Sequence, residues 1–140
     1  RPDMAVWIFT DAVLAGAPVR IVRGPVERDF TYIDDITSGV LAAMDRPPQD
    51  ANGRGEHRIY NLGNNRCERL DRLLAVIEET CGQTVDRIWT DLPPGDVVAT
   101  WADITASTRD LSYAPTTPIE EGVARFVEWR RAWPSLSPSA

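Results

Sequence analysis

Residues 26–35, VERDFTYIDD, place one arginine among acidic and aromatic residues, between two apolar stretches. The guanidinium group of Arg28 offers paired N–H donors that match phosphate oxygens, and it stays charged at physiological pH. This residue type therefore allows an anion-binding role. A surface ion pair of Arg28 with Asp29 or Asp35 explains the same residues without a ligand and would contribute little stability. The residues alone leave both interpretations open.

The residue patterns that commonly support catalysis are missing from the sequence. It contains neither a G-x-G-x-x-G loop nor a Walker loop for a nucleotide cofactor. Every basic residue is an arginine, so no tyrosine–lysine pair is present for proton transfer. His57 is the only histidine, and no metal-ligand spacing exists. Asp34 and Asp35 are better interpreted as a helix cap beside a solvated acid than as a catalytic pair. We therefore predict no catalytic, cofactor-binding or metal-binding residue in this chain.

The composition is that of an ordinary globular protein. The 140 residues are 43% hydrophobic and 26% charged, which is enough to bury a core. A net charge of −6 and a pI of about 4.7 argue against nucleic acid or an anionic membrane surface as a partner. No apolar run approaches the roughly 18 residues that span a bilayer, and the N-terminus shows no signal-peptide pattern.

The two cysteines, Cys67 and Cys81, are predicted to lie on or near one helix. That spacing separates them by about 21 Å of helix, which is beyond the reach of a disulfide. We expect two free thiols that fill space in the core, in a protein of the reducing cytoplasm.

Short strand signals alternate with helical ones along the chain. The predicted strands are VRIVRG (19–24), FTYI (30–33), HRIYNLG (57–63) and VDRIW (85–89). Such alternation is typical of a mixed α/β protein.

Helices are predicted from apolar stripes and from the residues that start and stop them. The predicted starts are Asp3, Asp34 or Asp35 before a helix over 36–44, Asn65 with Glu68 as a capping box, Asp103, and Thr117 followed by Pro118. The clearest stripe is Leu70, Leu73, Leu74, Ile77 and Cys81. Gly16 and Gly82 are predicted to end their helices.

Five motifs occur in the order found in a known family. They are RPDMA (1–5), RDFTYIDDI (28–36), YNLGNN (60–65), PPGDVVATWAD (93–103) and TPIEEGVARFVEW (117–129). The sequence resembles the extended short-chain dehydrogenases, in the NAD-dependent epimerase/dehydratase family. More narrowly, it resembles the nucleotide-sugar epimerases that act on UDP-glucuronate.

The resemblance implies a fold and a domain organisation. The chain is expected to be the C-terminal nucleotide-sugar-binding portion of a Rossmann-type enzyme, with mixed short strands and helices and without the cofactor-binding half. Residues 1–134 would form one substrate-binding domain, and residues 135–140 a frayed tail.

The resemblance also implies a set of substrate-binding residues. Arg28 would reach the pyrophosphate of a UDP-sugar, and Arg1 would border the hexose pocket near the sugar carboxylate. Asp96 matches an acid at the ribose or phosphate end, although a turn-forming role after Gly95 explains it equally well. Among the five tryptophans, Trp101 alone is expected to contact the ligand, because the others have settings typical of core and interface packing.

Two positions depart from the family pattern. Pro93 stands where relatives often carry a glutamine or arginine that reaches the nucleotide. Arg23 stands where they often have an aromatic residue or asparagine close to the base. Tyr60, Asn61 and Asn64 of YNLGNN are interpreted as structural residues rather than ligand contacts.

For a complete enzyme the resemblance implies an isomerase of carbohydrate metabolism. A bound NAD takes hydride from C4 of the hexose, the 4-keto sugar turns over, and hydride returns to the opposite face. UDP-glucuronate would thereby become UDP-galacturonate. The isolated chain lacks this machinery and is expected to be inactive. Its partners would be a UDP-sugar, a missing N-terminal Rossmann domain and, through apolar surface on helix 36–44 and HRIYNLG, a second copy.

Three alternatives remain at this point. The parent enzyme could be a UDP-glucuronate decarboxylase or a dTDP-glucose 4,6-dehydratase, which share the anchoring motif. The chain could instead be a stand-alone nucleotide-sugar-binding module. It could also be a structural remnant that binds no ligand.

Overall fold

The computed structural model describes residues 2–49 and 52–133, and they form an α/β arrangement of helices and very short strands. The elements are α1 Ala5–Ala15, β1 Val19–Val22, β2 Glu27–Asp29, α2 Ile33–Asp45, β3 Cys67–Arg69, α3 Leu70–Cys81, β4 Arg87–Thr90, β5 Ala99–Thr100, α4 Thr105–Leu111 and α5 Ile119–Ala132. The predicted α/β class is confirmed. None of the described helices has the length and apolar character needed to cross a membrane.

The chain divides into two compact units. The first unit is the described part of Arg1–Gly24, Leu70–Pro94 and Pro118–Ala140. The second unit is the described part of Pro25–Arg69 and Gly95–Thr117. A single substrate-binding domain over residues 1–134 stays a prediction, and the predicted frayed tail at 135–140 lies outside the described residues.

The first unit is built around α3. Strands β1 and β4 pair in parallel, from Val19 opposite Arg87 to Val22 opposite Thr90, and α3 contacts α1, α5 and β1. The predicted stripe is confirmed, because Leu73, Leu74 and Ile77 are fully buried. They pack with the other buried apolar residues of this unit, among them Phe9, Val13, Val19, Ile21, Val123 and Val127. The left-handed backbone of Gly82 ends the helix as predicted.

The start of α3 differs from the prediction. The capping box of Asn65 and Glu68 is wrong, since the helix begins at Leu70 and Glu68 lies on β3. Asn65 instead occupies a left-handed turn with φ of 53°. Pairing with β2 satisfies the backbone groups of Cys67–Arg69 before the helix begins. Cys67 therefore lies on β3, directly before the helix, in agreement with the predicted position on or near one helix.

Two other predicted caps are displaced by one residue. The N-cap residue of α1 is Met4 rather than Asp3, and that of α5 is Pro118 rather than Thr117. Neither of these N-cap residues makes a side-chain cap hydrogen bond. The first turn of α5 carries two glutamates and its last turn two arginines, which favourably oppose the helix dipole at both ends.

An aromatic cluster joins α1 and α5 in the first unit. The ring of Trp7 meets those of Phe126 and Trp129 edge-on, at centroid distances of 5.7 and 5.5 Å. Asp11 supports the contact by accepting hydrogen bonds from the indole of Trp7 and the guanidinium of Arg130. The packing role predicted for most tryptophans holds for this cluster.

The second unit contains a three-stranded sheet with β2 in the middle. Strand β2 pairs antiparallel with β3 and parallel with β5. The predicted strand FTYI (30–33) is wrong, because the strand is Glu27–Asp29 and Ile33 already belongs to α2. Acids at the second and third positions of α2 favour this early start, since they oppose the positive end of the helix dipole.

The predicted strand HRIYNLG (57–63) is also wrong. A strand needs the backbone of a neighbour, and no described residue pairs with this segment in a ladder. Side chains hold it instead: Ser107 donates to the carbonyl of Asn61 and Tyr113 to that of Gly63. Ser107 belongs to α4, whose N-cap residue is Ile104 rather than the predicted Asp103, although the carboxylate of Asp103 accepts the N–H of Thr105 at the helix start.

Asp35 joins α2 to the segment before α5 within the second unit. Its side chain is buried and accepts the backbone N–H groups of Thr116 and Thr117 at 3.0 and 3.1 Å. The predicted cap-plus-solvated-acid interpretation is therefore wrong for Asp35, because its hydrogen-bonding partners lie far along the chain. Burial opposes ionisation of this carboxyl, but hydrogen bonds from both threonines outweigh it and lower its pKa.

We expect Asp35→Asn to destabilise the fold by about 1–3 kcal/mol at pH 7, because an amide nitrogen facing backbone donors leaves one unsatisfied. A lowered pKa in the folded state contributes stability above the unfolded pKa of about 3.9 that is lost as pH falls through the folded value. The difference in free energy of unfolding between wild type and Asp35→Asn should therefore become smaller below about pH 4. Urea unfolding across pH measures both effects. Asp45→Asn, at the exposed end of the same helix, is the control. A difference in unfolding free energy between wild type and Asp35→Asn that is the same at every pH would contradict the role given to the ionised Asp35 carboxylate.

Candidate functional site

Arg28 lies in the middle of β2, directly between Glu68 of β3 and Thr100 of β5. One terminal nitrogen, Nη1, donates to the backbone carbonyls of Glu27 at 2.8 Å and Val98 at 3.3 Å. These bonds fix the guanidinium against the sheet. The side chain is 25% exposed, so it is accessible to a ligand while being held in place.

The ion-pair partner of Arg28 is Asp96. The second terminal nitrogen, Nη2, donates to Asp96 Oδ1 at 2.9 Å, so the ion-pair partner is neither Asp29 nor Asp35, the two acids of the alternative interpretation. The same oxygen accepts the N–H of Val97 at 2.8 Å, and Gly95 before it has a φ of 85°. Asp96 therefore forms the turn and also meets Arg28, so two residues that the sequence separates by 68 positions share one site.

Asp29 ties three segments of the second unit together. Its carboxylate accepts the backbone N–H groups of Asn64, Asn65 and Ala102 at 2.8, 3.1 and 3.1 Å, and the hydroxyl of Thr31 at 3.0 Å. Successive side chains of a strand point to opposite faces. Asp29 therefore lies on the face of β2 opposite to Arg28.

A cavity of about 450 Å³ opens beside Asp29. This volume falls in the range of small-molecule sites. The lining residues are Asp29, Thr31, Tyr60, Asn61, Leu62, Gly63, Thr100, Trp101 and Ala102. Trp101 is thus the one described residue of the predicted set that lines it, whereas Arg28 and Asp96 do not. The predicted residue Arg1 lies outside the described residues.

Asp29 and Gly63 were not predicted as site residues, although both stand in motifs that carry the family resemblance. A Cβ added to Gly63 would come within 2.5 Å of Ala102 Cβ and 2.8 Å of Asp29 Oδ2. The hydroxyl of Tyr113 donates to the Gly63 carbonyl at 2.9 Å. Burial raises the pKa of Tyr113, helped by the carboxylates of Asp35 and Asp29, so this hydroxyl keeps its proton.

Polar residues at the cavity edge are held by structural contacts. Tyr60 donates to Asp110, and the side-chain amide of Asn61 donates to the carbonyl of Asp103. The guanidinium of Arg109 beside Asp110, with help from Tyr60 and Arg58, lowers the pKa of Asp110 to about 2. The structural interpretation of Tyr60 and Asn61 agrees with these contacts.

Neither cysteine is suited to act as a nucleophile. Both are free, as predicted. Burial raises the pKa of both thiols, and for Cys67 the charges of Glu27, Asp29 and Glu68 raise it further. A thiol that keeps its proton at neutral pH reacts poorly. In the part of the chain that the structure describes, no group of three or more His, Cys, Asp or Glu residues is arranged to hold a metal ion.

Comparisons with known proteins agree with this architecture, although no family model matches the chain. The chain is 33% identical to protein CapI of Staphylococcus aureus, covering 92% of this chain and 42% of CapI. It is 36% identical to UDP-glucuronate 4-epimerase 1 of Arabidopsis thaliana, covering 92% of this chain and 33% of that protein. The chain thus spans well under half of the length of these relatives.

A solved structure gives the same result. The UDP-glucuronic acid 4-epimerase of Bacillus cereus, in complex with UDP-glucuronic acid and NAD, superposes with a TM-score of 0.81 at 29% identity. The match covers 95% of this chain and 41% of that one. The fold is therefore that of the C-terminal portion of an extended short-chain dehydrogenase. The chain belongs to the NAD-dependent epimerase/dehydratase family and, within it, is similar to the UDP-glucuronate 4-epimerases, which confirms the resemblance seen in the sequence.

We expect Gly63→Ala to destabilise the protein by about 1–3 kcal/mol, because the added methyl overlaps Ala102 and the Asp29 carboxylate. Chemical unfolding measures the loss. Gly55→Ala is the matched control, since a Cβ at that position meets nothing within 4 Å. Equal stability of the two variants would show that a methyl group at position 63 fits without overlap, which would contradict this geometry.

Proposed function

We propose that the chain is the nucleotide-sugar-binding portion of a UDP-glucuronate 4-epimerase, and that Arg28 anchors the diphosphate of the substrate. The observation that carries the proposal is the guanidinium of Arg28, held on the sheet by two backbone carbonyls yet partly exposed. A guanidinium fixed in this way has lost its rotamer freedom before the ligand arrives, which favours binding. Similarity to epimerases of this substrate class supplies the identity of the anion.

Other residues of the second unit would complete the contact. Asp96, beside Arg28, would accept hydrogen bonds from the ribose hydroxyls of the nucleotide. Trp101 is 63% exposed, so its indole is available as an apolar surface for the ligand. We propose Arg1 as a partner for the sugar carboxylate from the resemblance alone.

Holding the diphosphate would serve catalysis by position. A sugar that must present both faces of C4 to one cofactor has to turn while its nucleotide stays fixed, and a fixed anchor lowers the entropic cost of each approach. Arg28 would supply this anchor without taking part in proton or hydride transfer. A guanidinium group is a poor proton donor and acceptor, which suits a purely positional role.

NAD is bound by the Bacillus cereus relative. When bound, it would supply the hydride acceptor and donor for the whole enzyme. The residues of this chain do not fit it, because the sequence lacks the glycine loop that approaches a dinucleotide phosphate. We therefore assign no cofactor-binding or catalytic residue here, and propose that the chain by itself is inactive and works in the cytoplasm.

The second unit exposes apolar side chains on α2 and in the HRIYNLG segment. Ile33, Leu41 and Met44 of α2 are exposed, Met44 by 70%, and Ile59 in the HRIYNLG segment is 80% exposed. Exposed apolar surface of this kind marks an interaction site. We propose that the dinucleotide-binding domain of the whole protein covers it, with residues 1–134 acting as the substrate-binding domain. The exposure agrees with the surfaces predicted from the sequence.

We expect UDP-glucuronate to bind the wild-type chain weakly and to lose at least about tenfold in affinity in Arg28→Ala, because a hydrogen bond to a charged group is removed. Calorimetric titration measures both affinities. Arg125→Ala removes a surface charge that pairs with Glu121 in the first unit, and it should leave the affinity unchanged. Equal affinities of wild type and Arg28→Ala would overturn the proposed anchor.

The isolated chain should self-associate through the α2 face, and the double variant Leu41→Ser, Met44→Ser should shift it toward monomer. Light scattering after gel filtration measures the mass. Met4→Ser, Ile8→Ser changes two comparably exposed apolar residues of the first unit and should have no such effect. Association that persists in the α2 variant would place the self-associating surface elsewhere.

A further inference from the structure

We propose that the carboxylate of Asp96 acts as a placeholder for the ligand's diphosphate, so that binding exchanges one anion for another at Arg28. This inference rests on the proposed function and adds an internal competitor to the site. In the structure, Asp96 Oδ1 occupies the Nη2 end of the guanidinium at 2.9 Å. That end is the one that a phosphate oxygen would take.

The geometry allows the exchange to occur without moving Arg28. The guanidinium is positioned through Nη1, which donates to the carbonyls of Glu27 and Val98. Both carbonyls belong to the backbone of the sheet and the segment leading into β5, where Glu27 N–H also donates to Val98 at 2.8 Å. Loss of the Asp96 contact therefore leaves the anchor in place.

The side chain of Asp96 can move away from the guanidinium of Arg28. Its side chain is 43% exposed, and it stands on a turn rather than on a strand. Its oxygen keeps the N–H of Val97 as a partner when Arg28 is released. An ion pair at this exposure contributes about 0–1 kcal/mol, so the exchange costs the ligand no more than about fivefold in affinity.

A second carboxylate, that of Glu68, lies on the same face of the sheet as Arg28 and Asp96. Glu68 is the register partner of Arg28 on β3, so its side chain shares that face of the sheet, and Arg66 lies 3.6 Å from its carboxylate. Without a ligand, Asp96 keeps the charge of the guanidinium paired. When a diphosphate takes over, the released carboxylate becomes available to the ribose hydroxyls, which an anion lacking ribose does not offer.

The test compares inorganic pyrophosphate with UDP on wild type, Asp96→Asn and Asp45→Asn. The Asp45 variant removes one negative charge elsewhere in the second unit. Pyrophosphate should bind Asp96→Asn about two- to fivefold more tightly than wild type, with no change in Asp45→Asn beyond a general charge effect. UDP should gain less than pyrophosphate, because the variant also loses the carboxylate that accepts the ribose hydroxyls.

Pyrophosphate that binds Asp96→Asn no better than wild type, or that binds neither chain, would overturn the exchange. Arg28→Ala with UDP keeps the two proposals apart. UDP binding that depends on Arg28, together with unchanged pyrophosphate affinity in Asp96→Asn, would leave the anchor standing and remove the exchange alone. UDP binding that does not depend on Arg28 would remove both.

Discussion

The carboxylate of Asp29 and its hydrogen bonds to three backbone N–H groups hold the second unit together around β2. A strand of three residues forms few ladder bonds, so its position depends on such contacts. Asp29 connects it to the turn after YNLG and to the segment after β5. The neighbouring residue Arg28 projects from the opposite face with its own backbone partners. Two adjacent residues thus give one face of the strand a structural hydrogen-bond network and the other face a partly exposed guanidinium.

This division explains why the predicted residues do not form one cluster. Arg28 and Asp96 meet on one face of β2, while Trp101 lines the cavity beside Asp29. A long, extended ligand such as a UDP-sugar has separate chemical parts, and it would fit a site whose charged anchor and cavity are separate. The anchor depends on the Arg28 contacts, and the cavity depends on the carboxylate of Asp29, which positions Ala102 next to Trp101.

The helices could be predicted from the sequence far better than the strands. The stripe of α3 repeats over three turns, so its buried face is evident from the residue pattern, whereas FTYI and HRIYNLG have strand-like composition but no ladder partner among the described residues. A strand is defined by its neighbour, and a short segment carries no sign of where that neighbour lies. The role of Arg28 could be predicted from the RDFTYIDDI motif (28–36). Its contact with Asp96 joins residues 68 positions apart, which periodicity and spacing do not reveal.

A crystal structure of the chain with UDP-glucuronate would test the proposed anchor most directly, because it locates each part of the ligand. We predict diphosphate oxygens within hydrogen-bond distance of the Arg28 guanidinium, with Nη1 still bound to the carbonyls of Glu27 and Val98 and with Asp96 released from Nη2. A diphosphate bound elsewhere, with the Arg28–Asp96 pair intact, would contradict both the anchor and the exchange.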